Sequence, residues 1–268
     1  MNRKHFFPNW DCLTCARGLF IAELVSLFVS TSLTSAIEVL LFGCVLLCMG
    51  RFRTRIVFSI RQPMVVMTLV FIGVLCLGLF YGPVATSEKL AVLKGWRKLL
   101  LLPLAAILFD DVRWKQRLTW AMIGIATFCM LRSYWGLSGH GSTIVVHNHA
   151  TQGMFFAVAA FAAIVFAFSE SVQRSFLPRW LLFLSGIFLV VNAIFVTSGR
   201  SGYLALFVLS AVAPFVLLRG RFRIALAASV PFALLLLLAF SPVARERIDM
   251  GIGEVQNYKQ AEEYSSMG

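Results

Sequence analysis

Apolar runs separated by short polar clusters set the pattern of this chain. Runs approaching the roughly 20 residues needed to cross a bilayer fall at 18–34, 35–50, 63–82, 99–109, 118–131, 152–168, 180–196, 202–218 and 224–240. The first two meet with almost no polar residue between them, which predicts a tight helical hairpin. The run at 99–109 is short for a span. The polar clusters are compact: Arg51, Arg53, Arg55 and Arg61 form a basic loop, and Asp110, Asp111, Arg113, Lys115 and Arg117 form another. Later come Glu170, Arg174 and Arg179, then Arg219, Arg221 and Arg223. The pattern predicts an all-α, polytopic integral membrane protein of about nine transmembrane helices.

Composition sharpens this. The 268 residues are 59% hydrophobic and only 13% charged, with a mean hydropathy of +0.84, far from the usual balance of a soluble domain. A net charge of +12 would suit nucleic acid if it lay on one face. The cations are instead dispersed among short loops, so nucleic acid is excluded as the expected partner and membrane lipids take its place. Nine crossings put the termini on opposite sides. With the N-terminus inside, 15 Lys and Arg residues fall on inner segments and 9 on outer ones, which favours N-in, C-out. The expected organisation is a cytoplasmic tail over 1–17, a transmembrane domain over 18–240, and the opening of an extracytoplasmic loop over 241–268. Arg3, Lys4 and Arg17 before the first run resemble a signal peptide, but no small-residue cleavage site leads into a soluble domain, so that run is read as a retained helix. The polar stretch ending Ser265-Ser266-Met267-Gly268 reads as broken off.

Six cysteines are present. Cys12-x-x-Cys15 has redox or zinc spacing, yet no second ligand pair accompanies it, so no metal site is expected. Cys44, Cys48, Cys76 and Cys129 sit in apolar runs as small hydrophobes, and no disulfide framework is implied.

The most informative stretch is Val196-Thr197-Ser198-Gly199-Arg200-Ser201-Gly202-Tyr203, an arginine between two glycines where one apolar run stops and another starts. Two glycines would let a ligand approach the backbone closely, and Ser201 reads as an N-cap of the next helix, whose first turn favours an anion. Arg200 adds a planar fork suited to phosphate oxygens. A plain interfacial anchor is the competing reading. A second basic feature lies at 87–98, where Leu90, Leu93 and Trp96 share one helical face and Lys94, Arg97 and Lys98 another. Alone this is an interfacial amphipathic helix on anionic headgroups; the sharper reading is a second cationic contact for the anion at Arg200. Arg132, His140, His147 and His149 lie on the loop after the fifth run. His147-Asn148-His149 lacks a carboxylate or cysteine to complete a metal site, so Arg132, His147 and His149 are read as lining a polar cavity, with a histidine available as a base near neutral pH. Glu23 and Glu38 are membrane-level carboxylates, the type expected in proton coupling. No P-loop, dinucleotide fingerprint, nucleophile elbow or HExxH motif occurs.

The stretch Thr197-Ser198-Gly199-Arg200-Ser201-Gly202-Tyr203-Leu204-Ala205 resembles the helix-boundary arginine motif of the O-antigen ligase family, whose relatives include O-antigen polymerases and protein O-oligosaccharyltransferases. Lys94-Gly95-Trp96-Arg97-Lys98-Leu99-Leu100-Leu101-Leu102-Pro103 is similar to the basic helix and leucine-rich span found earlier in such proteins, and the order of spans agrees. The resemblance implies a membrane-embedded (GT-C type) glycosyltransferase of the bacterial inner membrane, with its active side periplasmic. It implies no metal and no cofactor. The donor would be an undecaprenyl-diphosphate-linked glycan and, for a ligase, the acceptor lipid A–core. Arg200 would hold the diphosphate and offset charge on the leaving group, with Lys94, Arg97 and Lys98 helping to seat it. The family also uses a second arginine and a histidine base in a later periplasmic loop, for which this sequence shows no counterpart, and the expectation is therefore a chain incomplete for catalysis. A transporter or lipid-linked glycan flippase is the alternative of another class, resting on Glu23.

Overall fold

The computed structural model describes residues 12–28, 30–81, 86–169, 176–197, 199–218, 220–243, 245–246 and 249–250. These are helical throughout, without a strand among the described residues. The helices are α1 (Cys12–Ser26), α2 (Thr31–Leu47), α3 (Met49–Ile60), α4 (Pro63–Tyr81), α5 (Thr86–Trp96), a 3-10 turn (Arg97–Leu100), α6 (Leu101–Leu108) and α7 (Val112–Trp135). A π turn (Gly136–His140) follows, then α8 (His149–Ala167), α9 (Phe176–Phe195), α10 (Arg200–Leu217) and α11 (Phe222–Phe240).

Among the described residues, five helices are long and apolar enough to cross a membrane: α4, α8, α9, α10 and α11. A sixth span results if the bent pair α2–α3 is counted as one. The other apolar runs resolve differently. The first shifts towards the N-terminus and gives the 15-residue α1, while 99–109 yields only the eight-residue α6, preceded by the 3-10 turn. α7 is long enough at 24 residues but carries Arg113, Lys115, Arg117 and Arg132. A lipid setting explains α4, which has a hydropathy of 2.5 yet turns most of its side chains outward, since a helix apolar all round is stable only when surrounded by protein or lipid.

The chain forms two compact units, Met1–Leu118 and Thr119–Gly268. In the first, α1 and α2 form the expected hairpin. Phe20 meets Phe109 edge to face at 5.2 Å, in a core with Ala16, Leu41, Phe52, Leu104 and Leu108. The basic cluster after α2 is not a loop. It folds as α3, bent by 105° from α2, because Phe52, Ile56 and Ser59 recur at helical spacing; Phe52 and Ser59 are buried and Ile56 packs on the core. Arg17, expected on the cytoplasmic flank, is buried in α1. Its Nε donates to the Leu108 carbonyl at 2.6 Å and its Nη2 pairs with Asp110 at 2.8 Å. Arg55 reaches the same Asp110 oxygen at 2.5 Å. The guanidinium groups of Arg17 and Arg117 lie over the Trp114 ring, 5.2 and 4.5 Å from its centre. The cysteine expectation is corrected here as well: Cys12 and Cys48 form a disulfide, with Cα atoms 6.4 Å apart.

In the second unit α8 is central, packed against α9 and α10, with α10 against α11. Most of its buried residues are small: Gly153, Ala157, Ala159, Ala160, Ala163 and Ala167, beside Gln152 and Phe156. Small side chains bring helix backbones close where lipid supplies no hydrophobic drive. An apolar cavity of about 280 Å³ lies among α8, α9, α10 and α11.

Candidate functional site

Arg200 opens α10, with Gly199 as its N-cap. No side chain caps this end, and Ser201 sits within the first turn, its Oγ donating to the Ala150 carbonyl at 3.0 Å. The N-cap role read for Ser201 is therefore corrected: the hydroxyl ties α10 to the start of α8. The glycines also serve a purpose other than the expected one. A Cβ on Gly199 would collide with the His149 carbonyl, and one on Gly202 would lie 2.7 Å from the Cα of Gly153. Both are spent on backbone contact with α8, leaving Arg200, which is exposed, at the rim. Ser198 lies outside the described residues.

Behind this rim is a buried polar network that the sequence reading did not single out. Gln152, Asn192, Ser133 and Thr197 are all at most 1% exposed. Gln152 Oε1 accepts from the amides of Val145 at 2.7 Å and Val146 at 3.1 Å. Its Nε2 donates to the Thr143 carbonyl at 3.0 Å and to Thr197 Oγ1 at 3.2 Å. Thr197 in turn donates to Asn192 Oδ1 at 3.0 Å, and Asn192 Nδ2 donates to Ser133 Oγ at 3.3 Å. Ser133 Oγ donates to the Thr143 carbonyl at 2.8 Å, and the Tyr203 hydroxyl to the Thr197 carbonyl at 3.2 Å. One connected set thus joins α7, the loop before α8, the head of α8, the end of α9 and the start of α10. Such groups are costly to bury unless paired; paired, they fix one geometry. The signal that would have found them is a lone amide inside an apolar run: Gln152 opens one such run and Asn192 sits within another.

The loop carries the remaining expected residues. Asn148 caps α8 by accepting from the Thr151 amide at 2.8 Å. His147 is exposed and has φ +34°, a left-handed conformation uncommon for residues other than glycine. His149 begins α8 and is half-buried. The Arg132 guanidinium packs on Gly141, about 3.4 Å from where a Cβ would be. His140 turns back to accept or donate at Ser138 Oγ, 3.1 Å away. Arg132, His147, His149 and Arg200 thus all belong to the second unit. The segments from α7 to α11 that build this rim carry no aspartate or glutamate between Asp111 and Glu170 or between Glu170 and Glu246, a charge balance that suits an anion.

Lys94, Arg97 and Lys98 belong to the first unit. The side chain of Lys94 lies outside the described residues. Lys98 is exposed on the 3-10 turn. Arg97 pairs with the buried Glu38 at 2.9 Å and donates to Ser35 Oγ at 3.3 Å. Trp96, expected at headgroup depth, meets Phe71 of α4 edge to face at 5.7 Å. Glu23, read as a membrane-level carboxylate, is in the last turn of α1 beside the hairpin turn. It is buried, and both carboxylate oxygens lack a hydrogen-bond partner among the described residues. Comparison with family models, with curated proteins and with solved structures returns no match for this chain.

Proposed function

We propose that this chain is an O-antigen ligase-like glycosyltransferase that moves a glycan from a polyprenyl-diphosphate carrier to lipid A–core on the periplasmic side of the bacterial inner membrane, in a GT-C-type fold of nine crossings with the N-terminus inside. The reading rests on the resemblance around Arg200 and on one structural observation: an exposed arginine heads α10, on a backbone tied by buried hydrogen bonds. A guanidinium so mounted binds a diphosphate oxygen pair in a fork and stays put while negative charge grows on the departing diphosphate, the condition under which electrostatic stabilisation is largest. Lys94, Arg97 and Lys98, which belong to the first unit, are the further donor-binding residues that the resemblance implies. Arg132, His147 and His149 line the polar side of the same unit, where an acceptor sugar would lie. O-antigen polymerases and protein O-oligosaccharyltransferases use the same kind of donor, and the acceptor alone separates them.

Binding of donor tests this directly. The chain in phospholipid vesicles is expected to retain labelled undecaprenyl-diphosphate-linked glycan, and Arg200→Ala to lower retention at least about tenfold, as loss of a charge-assisted bidentate contact does. Equal retention by both would end the reading. A flippase or transporter is favoured by one observation, the buried carboxylate of Glu23, which has no hydrogen-bond partner among the described residues. It predicts movement that depends on Glu23 and on an ion gradient while Arg200 is dispensable.

A further inference from the structure

Four of the six cysteines gather at one end of the α1–α2 hairpin. Cys12 and Cys15 are three apart on α1, and Cys44 and Cys48 four apart on α2, spacings that put each pair on one face of its helix. The antiparallel hairpin sets these faces against each other as two rungs. The first rung is closed, with Cys12 bonded to Cys48 across a Cα separation of 6.4 Å, inside the range a disulfide spans. The second rung is open: Cys15 and Cys44 are near enough to interact, and neither is in a disulfide. Cys44 also contacts the Cys12 carbonyl, Sγ to O 3.9 Å, which ties the two rungs together. Both open-rung residues are half-buried rather than sealed. Cys129, by contrast, is buried and in no disulfide, which is how cysteine behaves as a packing residue.

We propose that this end of the hairpin is a thiol–disulfide exchange site whose second rung, Cys15–Cys44, is oxidised by a disulfide of a small thiol or of a protein partner. In the first step one rung thiolate attacks a sulfur of the incoming disulfide. An S–S bond forms to the rung cysteine, and one thiolate leaves. The other rung thiolate then attacks that cysteine sulfur, forming the Cys15–Cys44 bond and expelling the second thiolate. The two protons of the rung thiols end on the two released thiols, and two electrons pass from the rung to the incoming disulfide. A closed second rung links α1 to α2 at both of their cysteine pairs.

Thiol counting on the full chain in detergent tests this. Isolated without reductant and alkylated, the protein is expected to give Cys12–Cys48 as a linked peptide and Cys15 and Cys44 as alkylated ones. Excess oxidised glutathione is then expected to remove both of the latter as a Cys15–Cys44 linked peptide, with Cys129 still alkylated. Cys44→Ser, close to isosteric, should instead trap glutathione on Cys15, and Cys15→Ser should trap it on Cys44. Alkylation of Cys12 and Cys48 in the untreated protein would overturn the proposal. So would glutathione treatment that leaves Cys15 and Cys44 alkylated, or that decorates them as stable adducts in the unsubstituted chain.

Discussion

Gly202 and Gly153 meet backbone to backbone where α10 crosses α8, so close that a Cβ added to Gly202 would stand 2.7 Å from the Gly153 Cα. The contact decides where Arg200 is held, because Gly202 lies in the same first turn. Gly202→Ala is therefore expected to force the helices apart and to destabilise the protein by about 1–3 kcal/mol, the usual cost of overpacking. A Cβ at Gly124 would meet nothing within 4 Å, so Gly124→Ala should leave the unfolding midpoint unchanged or raise it slightly, by the helix preference for alanine. Thermal unfolding of the two variants in detergent checks the contrast.

Gln152 makes the loop before α8 dependent on a single side chain. Replacing it with leucine leaves the Val145 and Val146 amides without the acceptor they share, at about 1–3 kcal/mol for each buried group left unsatisfied, while the Thr143 carbonyl keeps its bond from Ser133. The expected readout is local: faster amide exchange over 141–148, with the far end of α8 unaffected. Gln152→Glu keeps the acceptor and loses only the donors, so it should protect those two amides better than leucine does.

Asp110 gives the first unit an acid limit. Burial alone would raise its pKa, but the hydrogen bond and charge of Arg55, its own backbone amide and Arg17 outweigh this and hold it below the ordinary aspartate range. A carboxylate depressed by folding adds stability that is complete above its unfolded value, about 3.9, and is lost as pH falls through the lower folded value. Stability is thus expected to be insensitive to Asp110 from neutral pH down to about 4 and to decline below it. Asp110→Asn should be less stable at neutral pH and lose the acid-dependent part of the curve. Denaturant titrations at pH 7 and pH 3 separate the two.

The helical character and the α1–α2 hairpin were legible in the sequence because each is written in local hydrophobic pattern, whereas that pattern puts the start of α10 two residues late, at 202 behind Ser201, and it falls at Arg200. Span boundaries were not legible. A run such as 99–109 carries the hydropathy of a membrane helix without its length, and only tertiary packing shows that it continues α5 through a 3-10 turn. The Arg51–Arg61 cluster read as a loop by charge, whereas a buried Phe52 and Ser59 made it a helix. The cysteine rungs and the Gln152–Asn192 network stayed hidden for a related reason. Their partners lie tens of residues apart, and a single sequence records which residues are present but not which face which.

Arg97 is the remaining expected site residue whose surroundings recast its role. Its side chain is 40% exposed but that of its partner Glu38 only 7%, so removing the arginine strands a buried charge near Glu23, which already lacks a hydrogen-bond partner among the described residues. Arg97→Ala should cost about 3 kcal/mol, towards the low end for breaking a buried pair, because one partner is partly solvated. Glu38→Leu in the same chain should restore most of that stability, since an apolar replacement removes the stranded charge. Donor retention then divides the two roles of Arg97. If Arg97 only neutralises Glu38, the double variant should retain donor like the unsubstituted chain. If it also seats the diphosphate, as proposed, stability returns while retention stays several-fold low, and Arg97→Lys, which keeps charge without the fork, should recover part of it.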